Sequence, residues 1–460
     1  MRHSAATQTL AHAAAQTQWA TLPERVRQQS TDLFLDTLAV CAAGLSHPSY
    51  STFAESLASE PGCASVPGFL AGVSVTTAIQ INGGATTVLQ YQDGHRLGRG
   101  HPVSHIAPTL LALAEETGAA ASDVLTALIA GYEVGARIGV AMGGLNPALH
   151  DTGTWSCLGT AVAAAHLLSH GAESVIADAI ESAAAIALMP YRDLPVEGAT
   201  AHHLYIGLGA TTGLLAARAS VTGLKPLPAT LQQFFIPRAG ADFHQQRLTK
   251  GIDASGRWSE FESDHAYFKV HPTCAHLHGA NDALASLIKT DGVCADDVER
   301  IEIATYASGL AFDNPSPDND LAARFSQAAS AAIALCFGTL DETTLIDTNL
   351  RDPDVRSLMQ RISVTHDAAL DADYPEGRPA RVTIHCKDGR TLSETVVHPL
   401  GDHTNPASPE LRRSKAKRLL TLRFGDTNAE QVIAAFDAYR SGHGVTVLSA
   451  TLRKPAVDKA

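Results

Sequence analysis

The chain has 460 residues, 45% of them hydrophobic and 18% charged, enough apolar material for one large core and a second smaller one. Its formal net charge of -13 excludes a general attraction to nucleic acid or to anionic membranes, so an anionic ligand must be drawn in by a local cluster of Arg, Lys or His. Seven scattered cysteines without a C-x-x-C pair fit neither a disulfide framework nor a thiolate zinc site, and a reducing cytoplasm is the expected location.

The opening MRHSAATQTLAHAAAQTQWA lacks a continuous apolar run, and no later stretch offers about eighteen apolar residues without polar interruption, so neither a leader nor a membrane span is expected. In TLPERVRQQSTDLFLDTLAVCAAGL, Pro23 suits a first helical turn, Val26, Leu33, Leu35, Leu38 and Val40 mark an apolar face, and Gly44 is the stop. PTLLALAEETGAAASDVLTALIAGYEVGARIGVAM predicts two helices, the first opened by Pro108 and closed by Gly118, the second capped by Ser122 and Asp123. The alanine-rich runs 159–170 and 173–189 predict closely packed helices. A predominantly helical body therefore covers residues 1–265.

The pattern changes after Lys269. VERIEIATY at 298–306 alternates apolar and charged residues, and ARVTIHCKDGRTLSETVV repeats the alternation around an Asp388-Gly389 turn, predicting a hairpin. With an apolar helix over Ala323 to Phe337, this gives a smaller α+β domain over about 266–400. Amphipathic helices return in 401–460 and are expected to dock on the first domain. The fold class is α+β, predominantly α.

GLGATTG at 207–213 is not G-x-G-x-x-G and no strand precedes it, so no dinucleotide fold is expected, and phosphate-loop and G-x-S-x-G motifs are missing. The pairs His101 with His105 and His202 with His203 form no H-E-x-x-H, so no metal is expected. What stands out is four histidine-bearing segments that interrupt helical text: QDGHRLGRGHP at 92–102, NPALHDTGTWS at 146–156, EGATAHHLYIG at 197–207 and KVHPTCAHLHGANDA at 269–283. Imidazoles titrate near neutrality, so several converging ones can divide general base and general acid between them. Such a group suits removal of a proton next to a carboxylate, with Arg96, Arg99 and Arg192 close in sequence to bind anions. Any single histidine is more often structural, and His105 reads as a residue that merely sits by a helix start.

Taken in order, LPERVRQQSTDLFLDTLAVCAAG, LQYQDGH running to HP, ALIAGYEVGARIG, HDTGTWSCLGTAVAAAHLL, KVHPTCAHLHGANDAL and RFSQAASAAIALCFG resemble the MmgE/PrpD family, which includes 2-methylcitrate dehydratases, cis-aconitate decarboxylases and iminodisuccinate epimerases. The resemblance covers nearly the whole chain. It implies a large all-helical domain, a smaller α/β lid domain with the active site between them, a homodimer, and a small di- or tricarboxylate substrate handled without cofactor. Residue by residue it points to Asp93, His101, His150 and His278 as catalytic and to His95, His202 and Lys269 as substrate-binding, with Asp282 also in place; Arg96, from its place beside His95 rather than from the resemblance, is expected to bind substrate as well. Gln90 and Gln92 stand where the family has acids, His202 where it has lysine, and Ala329 where a tyrosine is common.

The expected reaction is cofactor-independent lyase chemistry, first dehydration of a 2-methylcitrate-like acid, or decarboxylation of a cis-aconitate-like one. In this scheme His150 or His101 takes the α-proton, Asp93 orients an imidazole, His278 protonates the leaving hydroxyl, and Lys269 and His202 bind carboxylates. Histidine in place of lysine at 202 is expected to weaken anchoring as pH rises through neutrality. The alternatives are a two-base epimerase on the same fold and an inactive carboxylate-binding member.

Overall fold

The computed structural model describes residues 3–457. Its main core gathers side chains from Leu10 to Phe268 and again from Ala416 to Leu452, so the last long helix, Pro409–Arg440, returns to the first body. A second core runs from Ala280 to Cys386. It is built on a four-stranded sheet in the order Ile362–His366, Val298–Thr305, Ala380–Cys386, Thr391–Val396, with the first pair parallel and the others antiparallel. The predicted hairpin is the last of these pairs, turning through Asp388 and Gly389.

In the main body the helices Ala121–Ala141 and Trp155–Ser169 approach through glycines. A Cβ on Gly131 would lie 2.4 Å from the Gly159 carbonyl oxygen, which is why these alanine- and glycine-rich runs pack so closely. GLGATTG lies inside the helix Leu204–Val221, where a Cβ on Gly207 would meet the Gln80 carbonyl oxygen at 2.4 Å. These are packing glycines. Two segments, Ala121–Ala141 and Thr200–Val221, are long and apolar enough to cross a membrane by length and composition. The first is a core helix, 94% buried over its apolar window, while the second is half-exposed.

Three local readings need correction. Pro108 does not open its helix but lies inside it, because the helix begins at Pro102; the reason is the distant Asp93 cap described below. The helix Ala121–Ala141 has Ala120 as its N-cap without a side-chain hydrogen bond, and Ser122 and Asp123 fall in its first turn. The 323–337 segment is broken: a short helix Asp320–Ala323 ends, and Ser326 caps the next, Gln327–Phe337, through the Ala329 amide at 3.0 Å. Ala329 is buried packing.

Candidate active site

The loop between the helices Val75–Val88 and Pro102–Thr117 carries Asp93, His95, Arg96 and His101. Asp93 is fully buried, and its carboxylate accepts from the amides of Val103 and Ser104, both at 2.9 Å, and from the Ser104 hydroxyl at 2.6 Å. It thus supplies the orphan donors of that helix with their partner, which lets the helix start at Pro102, where a missing N–H costs nothing. Burial pushes the Asp93 carboxyl up to about 6, against the pull of these donors. The side chain therefore does not orient an imidazole; its backbone carbonyl does, by accepting from His101 Nδ1. Asp93→Ala leaves two buried amides unpaired and is expected to cost about 1–3 kcal/mol of stability, read from urea unfolding.

Because a carbonyl only accepts, His101 carries its proton on Nδ1 and leaves the Nε2 lone pair free, 3.6 Å from Asp151 Oδ2. Burial lowers its pKa to about 4, with Asp151 opposing. His150 is arranged the other way. Its Nδ1 accepts from the Thr152 amide at 3.2 Å and lies 2.8 Å from the Thr152 hydroxyl, so the neutral ring holds its proton on Nε2. Nδ1 is also 3.2 Å from Asp151 Oδ1, and burial depresses this imidazole too. His101 and His150 thus meet at one carboxylate as neutral rings of opposite tautomer. The two loops that carry them are tied together by His105, whose Nδ1 donates to the His101 carbonyl at 2.8 Å and whose Nε2 accepts from the Gly153 amide at 2.9 Å; His105 is structural, as its position suggests.

His202 completes this end, its ring centroid 4.8 Å from that of His150. The Gln90 amide, its orientation fixed by donation to the Thr87 carbonyl at 2.7 Å, points Nε2 at His202 Nε2 over 3.4 Å. The His202 proton is then on Nδ1, a buried donor with no partner. The expectation of a cation fading near pH 7 does not hold here: burial first, then His150, His203, His101 and Lys269, hold this imidazole well below its usual range. His202 is a neutral donor at neutral pH.

Lys269 follows the two-stranded ribbon Gly94–His95 with Ala266–Tyr267. A Cβ on Gly94 would lie 2.0 Å from Tyr267 Cζ, so this crossing requires glycine. Lys269 is 1% exposed, and among the described residues its ammonium has no ion-pair partner. Burial brings its pKa down to about 8, partly offset by Cys274 and Asp151. His278 is 4% exposed. It bonds the Thr273 backbone, packs at 5.3 Å centroid distance against His271, and leaves Nε2 without a partner. His271 in turn sits 2.7 Å from Asp282.

Two predicted binding residues are placed differently. His95 accepts from the Gly98 amide on Nδ1 at 2.8 Å and donates from Nε2 to the Glu262 carbonyl at 3.1 Å, so both nitrogens are spent on the fold and none is left for substrate. His95, Glu262 and His265 have ligand atoms within 4.8 Å of one another, yet the Gly98 N–H claims the His95 Nδ1 lone pair, and the Nε2 facing the group is the protonated one. That donor set does not fit a metal ion. Arg96 spends Nε, at 3.3 Å, and Nη2 on Asp402, leaving only Nη1 without a partner.

Asp151 joins the two imidazoles and was not singled out from sequence, although it is the next residue after His150 in HDTG. Arg378 acts on Cys274, which Lys269 and Asp151 also reach, and no local pattern marks it.

The match to known families now bears on this geometry. Residues 8–233 match the model described as MmgE/PrpD N-terminal domain and residues 271–439 the MmgE/PrpD C-terminal domain. The chain belongs to the MmgE/PrpD family. Among similar family members is a cis-aconitate decarboxylase of Aspergillus terreus, 23% identical over 412 residues, covering 83% of this chain and 82% of that protein. Another is the cis-aconitate decarboxylase-like protein oryM of Aspergillus oryzae, 24% identical over 431 residues and 86% of each chain. The family match supports a lyase-type enzyme, and within it the positions where Gln90, Gln92 and His202 replace the residues the resemblance leads one to expect form one hydrogen-bonded chain, with the Gln92 amide donating to Gln90 Oε1 at 3.2 Å.

Proposed function

We propose that this MmgE/PrpD protein is a lyase acting on a small polycarboxylate, in which a carbanion forms next to a carboxylate. The observation that carries the proposal is the placement of His101 and His150 at one carboxylate, Asp151, with hydrogen-bond partners that assign them opposite tautomers. His150 Nε2–H is a neutral donor suited to an enediolate oxygen, and donors fixed in advance where charge develops favour the transition state. His101 Nε2 is the site that exchanges a proton with carbon, Asp151 stabilising the imidazolium.

The relatives' names move decarboxylation ahead of dehydration. In that step the bond from carbon to the departing carboxylate breaks and its electron pair enters the neighbouring carboxylate as an enediolate held by His150. Carbon dioxide leaves, and His101, protonated when the anionic substrate enters, returns its proton to carbon. Dehydration is the second reading, favoured by the same pair: neutral His101 takes the α-proton while an acid assists the hydroxyl. His278 fits that acid role less well, because its free Nε2 holds a lone pair. Lys269 supplies the cation that binds a carboxylate. Incubating the protein with cis-aconitate, 2-methylcitrate and an imino diacid, and following carbon dioxide, alkene and solvent-deuterium exchange separately, tests this. Release of carbon dioxide or alkene supports a lyase. Exchange alone indicates the epimerase, and binding without any conversion the inactive member.

We further propose a homodimer in the cytoplasm, joined through the apolar face of the helix Leu204–Val221 and the turn after it, where Leu208, Leu215, Leu224 and Leu227 are 42–68% exposed. Leu208→Asp with Leu215→Asp is expected to give a monomer in light scattering.

A further inference from the structure

The histidines sense different cations. His101 and His150 lie close enough to Lys269 for its charge to disfavour their protonation. His278 senses Lys269 and Arg96, and His276 senses Arg378, Arg96, Arg99 and Arg192. The sets overlap, since Arg192 acts on both His150 and His276, and Arg378, just before the strand Ala380–Cys386 of the second core, is the strongest of the cations on His276.

Arg378 is the odd member. It is 3% exposed, and among the described residues no carboxylate ion-pairs with it directly; Asp402, whose charge reaches it, is already paired with Arg96. Nη1 makes long hydrogen bonds to the carbonyls of Pro375 and Gly377, at 3.3 and 3.4 Å, and Nε is buried without a partner. Its guanidinium lies 5.0 Å from the Tyr374 ring centroid, with Arg99 at 5.2 Å from the same ring. Tyr306 stacks on Tyr374 at 4.7 Å and holds His276 Nδ1 at 2.5 Å through its hydroxyl. Aromatic rings orient a guanidinium but do not neutralise it. Arg96, over the Tyr267 ring at 4.8 Å, is balanced by Asp402 and still has a buried Nη1 with no partner. A buried guanidinium that has to share a carboxylate already paired elsewhere is costly, and a planar fork with unused donors matches a carboxylate.

We infer that Arg378, assisted by Nη1 of Arg96, is a specificity residue that binds a carboxylate of the substrate remote from the reacting carbon. The inference rests on the polycarboxylate reading above and adds to it an orientation. The imidazoles His101, His150 and His202 face the reacting carbon, Lys269 takes a carboxylate beside them, and the remote carboxylate is held between Arg96, on the first core, and Arg378, beside the second. A diacid too short to reach Arg378 forfeits that contact.

Calorimetric titration with two unreactive acids, propane-1,2,3-tricarboxylate and 2-methylbutanedioate, which lacks the triacid's remote carboxylate, tests this on the full-length protein and on Arg378→Gln and Arg378→Lys. The wild type is expected to hold the triacid at least about 30-fold more tightly than the diacid. Arg378→Gln is expected to reduce that ratio to about threefold or less with 2-methylbutanedioate affinity unchanged. Arg378→Lys, which keeps the charge and so protects the fold but loses the planar fork, is expected to lose about fivefold in triacid affinity. A ratio that survives in Arg378→Gln, or, should that variant not fold, triacid affinity untouched in Arg378→Lys, overturns the assignment. Equal binding of both acids by the wild type also overturns it while leaving the polycarboxylate reading standing. Binding of neither acid removes that reading and this inference with it.

Discussion

His101→Gln is expected to be as inactive as His101→Ala, at least about a hundredfold below wild type in turnover, whereas His150→Gln is expected to recover about tenfold over His150→Ala. The asymmetry follows from the tautomers. The His150 ring presents Nε2–H because the Thr152 amide occupies Nδ1, and a glutamine amide can place an N–H near the same point. His101 is asked to accept and return a proton at Nε2, which no amide can do. Steady-state turnover on the best substrate of the panel, with unfolding curves to confirm that each variant folds, measures both effects. Equal losses in His150→Gln and His150→Ala would mean that His150 transfers a proton rather than donating a fixed hydrogen bond.

Lys269→Met is expected to lower kcat/KM by about a hundredfold or more, because a charged hydrogen bond to a buried carboxylate is lost and no other cation among the described residues stands in its place. The pH profile carries the sharper signature. Burial sets the Lys269 pKa at about 8, so the ammonium is intact below that value and is lost as pH rises through it. In wild type kcat/KM is expected to decline above about pH 8. Lys269→Arg stays charged throughout, and its remaining activity is expected to lack that alkaline limb. A limb of unchanged position in the arginine variant would assign the titration to another group.

The helical body, the later sheet and the family resemblance were legible from sequence because each rests on local periodicity or on ordered motifs. The start of the helix Pro102–Thr117 was not, since its cap is Asp93, several residues upstream across an irregular loop. The same loop shows why histidines resist reading from text. His95 and His101 have similar neighbours, but the Gly98 amide folds back onto His95 and closes it, whereas His101 keeps one nitrogen free. His202 was read as a switchable cation from its residue type; burial among three other imidazoles and Lys269 makes it neutral. Asp151 was adjacent to a residue already singled out and lacked only the knowledge that His101 would meet it. Arg378 had no signal at all, because its neighbours Tyr374, Pro375 and Gly377 form no recognisable motif and its lack of an ion pair shows only in three dimensions.

The most direct test of the account is nitrogen-15 NMR of the imidazoles in the ligand-free protein at neutral pH, assigned with His101→Gln and His150→Gln. The account predicts two neutral rings of opposite kind, His101 protonated on Nδ1 and His150 on Nε2. Two rings of the same tautomer, or either ring doubly protonated at that pH, would contradict it.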